Sequence, residues 1–132
     1  MNTQISQIEQ NEYSEITWYN GYTSNLVDED LVRSEGITII FGIEQVIDKF
    51  LEQDLDRARE LFRQWLQRLT DWEESSPQHK LFIIGCDIGK GIVPIDVKHR
   101  NWRDLVGWCY QDIVEKAERV DLIWYGINQR IK

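Results

Sequence analysis

The chain has 132 residues and a net charge of −8, with 42% hydrophobic and 11% aromatic residues, six Trp among them. That apolar content excludes a disordered chain, and the length suits one domain with a core of its own. The acid excess argues against direct nucleic-acid binding, because a negative surface repels a phosphate backbone.

Residues 1–12 read as a polar tail and 13–132 as a single domain. The start, Met1 to Gln7, is polar and uncharged, which is not the pattern of a signal peptide. The longest apolar run, Ile37–Ile43, is far shorter than the ~20 residues a bilayer needs. No membrane span is expected, and the cytoplasm is the expected location.

In chain order, Ile16-Thr17-Trp18-Tyr19, Asn20-Gly21 and Tyr22-Thr23 read as a β-hairpin, since Asn-Gly between aromatic and β-branched residues favours a tight turn. Asp28-Glu29-Asp30 follows as a solvated acidic turn or the first turn of a short helix, where negative charge suits the dipole. Ile37 to Gly42 is a buried strand closed by glycine. From Ile43 to Leu69, apolar residues recur at three- and four-residue steps. They mark one long helix, or two with Asp54 capping the second. Asp71 to Pro77 is a loop.

Lys80–Val97 reads as two apolar strands around the Gly89-Lys90-Gly91 turn, with Pro94 forcing an edge position or a bulge. Asn101 is the expected cap of a helix from Trp102 to about Arg119, and Val120–Ile127 is a last strand before a polar end. The expected architecture is α+β: a mostly antiparallel sheet packed against two or three helices, one of them long. Cys86, in a strand, and Cys109, in a helix, read as reduced core thiols. With His79 and His99 they make no zinc pattern.

The densest chemistry lies at Asp87…Asp96-Val97-Lys98. Strand alternation would put Asp96 and Lys98 on one face. A carboxylate, a short hairpin and then acid-any-Lys is similar to the core of the PD-(D/E)xK nucleases. That resemblance implies a Mg²⁺ held by Asp87 and Asp96, with Lys98 activating the attacking water. Lys90, Arg100 and Arg103 would meet phosphates. Asp87-Ile88-Gly89-Lys90-Gly91 lacks the full Walker spacing and its Ser/Thr.

The favoured reading is an interaction protein without a cofactor. Residues 1–60 carry only Arg33, Lys49, Arg57 and Arg59 as bases, so this half is strongly acidic. Such a face attracts a basic protein, as an immunity protein or antitoxin attracts a nuclease. Trp18, Tyr19 and Tyr22 are the expected contact anchors, beside Asp28, Glu29 and Asp30.

Overall fold

The computed structural model describes residues 15–33, 35–52, 54–86, 97–124 and 126–132. Strand β1 (Ile16–Asn20) is followed by β2 (Ile37–Phe41), helix α1 (Ile43–Asp48) and a 3₁₀ turn (Lys49–Glu52). Then come α2 (Leu55–Glu74), β3 (Lys80–Ile84), α3 (Val97–Lys116), β4 (Asp121–Trp124) and β5 (Ile127–Arg130). The main sheet has the order β1-β2-β3 and is parallel throughout, while β4 and β5 form a separate antiparallel pair. The expected mostly antiparallel sheet is therefore wrong.

The reason lies at Asn20-Gly21. The Asn20 side chain accepts the Tyr22 N–H at 2.9 Å, and its carbonyl accepts the Ser24 N–H at 3.1 Å. This is a local Asx turn, not a hairpin turn. The Gly21 N–H continues the ladder to the Phe41 carbonyl at 2.8 Å, so the chain leaves the strand in line with β2. The segment that returns to β2 then buries Leu26 and Leu31, which a two-residue hairpin could not do.

The strands carry the signature of a sheet covered on both faces, near-continuous apolar runs in place of alternation. Ile37, Thr38, Ile39 and Ile40 are all wholly buried. Ile40 joins the main core with Leu81, Ile83 and Tyr19, whereas Ile37 and Ile39 cluster with Ile16, Phe82 and Ile84 on the opposite face. The core proper is the helical layer. Phe62 packs edge-on to Phe50 at 5.8 Å and tilted against Trp65 at 5.5 Å, with Leu66, Leu69, Leu105, Val106 and Cys109 around them. Full burial of each such side chain contributes about 1.5–3 kcal/mol.

The apolar stripe is broken, not continuous. Asp54 caps α2 by accepting the Arg57 N–H at 2.8 Å, and the 3₁₀ turn separates α2 from α1. Helix α3 begins at Val97, so Asn101 lies inside it, and the expected cap there is corrected. The second strand of the expected 80–97 hairpin falls on residues 87–96, outside the described residues; β3 itself pairs in parallel with β2. The stretch expected as one last strand and a polar end is a hairpin turning at Gly126, with Asn128 to Arg130 on β5.

Polar contacts among the described residues also fix the layers. Asp112 of α3, almost fully buried, accepts Arg59 at 3.1 and 3.3 Å and Arg63 at 3.2 Å, both from α2. On β3, the Glu73 carboxylate accepts the Leu81 N–H at 2.7 Å, occupying a donor that an edge strand would otherwise expose.

Candidate active site

In open sheets of parallel strands, ligands meet the carboxyl ends, where loops and helix starts converge. Here β2 passes directly into α1 through Gly42, whose φ of 75° is a left-handed conformation that glycine adopts without strain. A Cβ at Gly42 would lie 2.7 Å from the Tyr22 ring, so that ring rests against bare backbone. Gly85, just past β3, is equally tight: a Cβ there would stand 2.5 Å from the Tyr110 hydroxyl.

Glu44 organises this edge. It is 0% exposed, and its carboxylate accepts the Tyr22 hydroxyl and the Cys86 N–H, the latter at 3.2 Å. Its backbone carbonyl accepts the Trp102 indole N–H at 2.9 Å. Tyr110 donates its hydroxyl to the Cys86 carbonyl at 2.6 Å. One buried carboxylate thus joins the exits of β1 and β3 to the start of α1, and its backbone ties in α3. A buried carboxylate needs such hydrogen bonds to offset its desolvation.

The same contacts set the local acidity. Its hydrogen bond to Glu44, and then burial, push the Tyr22 hydroxyl up to about 12. Burial and the Glu44 charge raise the Cys86 thiol, and burial pushes Cys109 up to about 12. Both thiols rest protonated, which is the reverse of a nucleophilic cysteine. Cys109 is in the core as expected; Cys86 is exposed, which corrects its reading as a core thiol.

Helix α3 starts beside this edge, because Trp102 in its second turn is bonded to Glu44. Its opening carries Lys98, His99 and Arg100, all exposed, with no acid in the first turn. Arg103 follows, 3.7 Å from Asp104. Cations at a helix amino end oppose its dipole, and an anion bound there is favoured by the cations and the dipole together.

The residues expected from the sequence divide as follows. Asp87 and Asp96 lie outside the described residues, and Lys98 is on a helix, not on the strand expected for it. Trp18 and Tyr22 are exposed at 42% and 53%, while Tyr19 packs against the main core. Asp28, Glu29 and Asp30 are exposed on the segment after β1. His79 precedes β3, at the other end of the sheet. It stacks on Trp72 at 4.4 Å, its Nδ1 lying 2.7 Å from the Trp72 carbonyl. Glu44 escaped the sequence reading, although an acid in an apolar stripe directly after a strand and a glycine was its signal. Among the described residues no three His, Cys, Asp or Glu side chains gather as a metal site, and no helix is long and apolar enough to cross a membrane.

Residues 10–131 match the family model described as CobU: Cobinamide kinase / cobinamide phosphate guanyltransferase. The chain belongs to the CobU family. No curated protein matches it. Membership overturns both readings drawn from the sequence. The family's members are named for transfer enzymes, so neither an immunity-type inhibitor of a basic toxin nor a PD-(D/E)xK nuclease describes this chain. In the acid-any-Lys motif that motivated the nuclease, Lys98 lies on α3 and not on a strand.

Proposed function

We propose that this chain is a cytoplasmic transferase that brings a guanine nucleotide and a cobinamide together at the carboxyl edge of its parallel sheet. The observation that carries the reading is the alignment of two features there. The Glu44 network holds the strand exits fixed, and α3 opens on Lys98, His99 and Arg100 beside it. Phosphoryl and nucleotidyl transfer require little covalent chemistry from a protein; positioning and stabilisation of phosphate charge supply most of the rate. A cation-rich helix start beside a rigid strand edge has those two properties. The sequence contains no Gly-x₄-Gly-Lys-Ser/Thr segment, so the phosphates here rest on α3 and its cations and not on a Walker loop.

Each group has one task in this reading. Arg100 and Lys98 hold phosphate oxygens, the amino end of α3 adds its dipole, and Glu44 keeps Tyr22 and Cys86 in place without touching substrate. The test is incubation of the purified chain with Mg²⁺, GTP and either cobinamide or cobinamide phosphate, with products separated by chromatography. Formation of a phosphorylated or guanylylated cobinamide, lost in Arg100→Gln, supports the reading. A chain that binds neither GTP nor cobinamide by calorimetry refutes it.

A further inference from the structure

Tyr22 is half exposed, yet its ring is not free to turn. One ring edge lies against Gly42, and its hydroxyl is fixed by the wholly buried Glu44. Beside it stands Phe41, 38% exposed, with ring centroids 6.0 Å apart and planes tilted by 43°. Trp18 pairs with Ile39, and Asn20 with Phe41, so Trp18 shares a sheet face with Phe41 and extends the aromatic surface along the strands. Exposed rings normally keep their rotational freedom and lose it on binding. Here the loss is already met in the free protein by a hydrogen bond to a residue that nothing else displaces. That is preorganisation of an aromatic face.

Glu44 also links the aromatic face to the start of α3. Its carboxylate holds Tyr22, and its backbone carbonyl holds Trp102 near the cationic start of α3. A ligand spanning both ends needs a flat ring at one end and phosphates at the other. We propose that Tyr22, supported by Phe41, is the stacking platform for the guanine base of the nucleotide whose phosphates meet α3. This rests on the functional reading above and names the residues that hold one of its substrates. The interaction is ring stacking, sequence-tolerant among bases, and it supplies affinity in place of transfer chemistry.

The test is calorimetry on the full chain with GTP, inorganic triphosphate and cobinamide as separate probes. The wild type binds GTP more tightly than triphosphate, and the difference measures the base. Tyr22→Ala weakens GTP binding roughly tenfold or more and leaves triphosphate binding unchanged. Phe41→Ala shifts GTP in the same direction by less. Tyr22→Phe keeps the ring and loses its tether, so its GTP affinity falls between wild type and Tyr22→Ala. Circular dichroism establishes that each variant is folded, and Tyr22→Phe keeps the question open to test if Tyr22→Ala does not fold.

Equal GTP affinity in wild type and both Tyr22 variants overturns the platform and leaves the functional reading standing. So does a loss confined to cobinamide, which would assign the ring to the other substrate. Failure of the wild type to bind either GTP or cobinamide removes the functional reading itself, and the platform with it.

Discussion

Replacing Asp112 by Ala removes a buried polar contact that ties α3 to α2. Three hydrogen bonds go: two from Arg59 at 3.1 and 3.3 Å, and one from Arg63 at 3.2 Å. The Arg63 side chain is 49% exposed, so its arm contributes about 0.5 kcal/mol. The Arg59 fork, 30% exposed against a carboxylate at 5%, contributes about 1.5–2 kcal/mol. Both arginines can rehydrate, so no buried cation is stranded. The expected loss is about 2 kcal/mol, which lowers Tm by roughly 6–10 °C in a chain of this size.

Acid should erase that loss. Burial acts to raise the Asp112 pKa, but the hydrogen bonds and charges of Arg59 and Arg63 outweigh it and hold the carboxyl below its ordinary value. A depressed folded pKa means that the stabilisation is complete above the ordinary carboxylate range. It then fades as pH falls through the lowered value. Urea unfolding followed by circular dichroism, at neutral pH and in acid, measures both effects for wild type, Asp112→Ala and Arg59→Gln. A difference below about 0.5 kcal/mol at neutral pH would mean that desolvation of the carboxylate cancels the attraction, and the tether would have no net effect. A difference that persists undiminished in acid would equally defeat the argument.

Two glycines predict opposite outcomes from the same substitution. Gly107 lies inside α3 with nothing within 4 Å of an added Cβ, so Gly107→Ala stabilises by about 0.5–1 kcal/mol in the same unfolding assay. Gly42→Ala, at φ 75° against the Tyr22 ring, destabilises by about 1–3 kcal/mol. Spectrophotometric titration of the phenols should show a late group, titrating near 12, that disappears in Tyr22→Phe. Because the fold favours the neutral hydroxyl, this contribution is intact up to the ordinary phenol range and is lost as pH rises through about 12.

The sequence disclosed its elements better than their pairing. Strand β2 follows from its apolar run, and helix-start rules leave the break before α2 with its Asp54 cap as one of two readings, which the fold decides. Pairing direction follows from neither, because it depends on where the chain goes after leaving a strand. At Asn20-Gly21 a hairpin and an Asx turn share one local pattern, and the choice is made by Leu26 and Leu31 finding the core. The continuous apolar character of ITIIF and KLFII was the available warning of parallel strands covered on both faces. At the site, Tyr22 was legible as an exposed aromatic, but its use was not. What fixes it is Glu44, distant in sequence and silent in any local motif. The start of α3 was misplaced because Asn101 offers a good cap that the chain does not use.

Glu44 bonds to segments from β1, α1, β3 and α3, so the candidate site cannot loosen without loosening the junction of the sheet with its helices. Occupancy of that site is therefore coupled to global unfolding. Any molecule that binds the native chain and not the unfolded one adds RT ln(1 + [L]/Kd) to stability, about 2.7 kcal/mol at a hundredfold excess over Kd. Melting temperature thus becomes a readout that requires no assumed reaction. A panel of nucleotides and corrinoids, ranked by how far each raises it, would name the ligand before any turnover is seen.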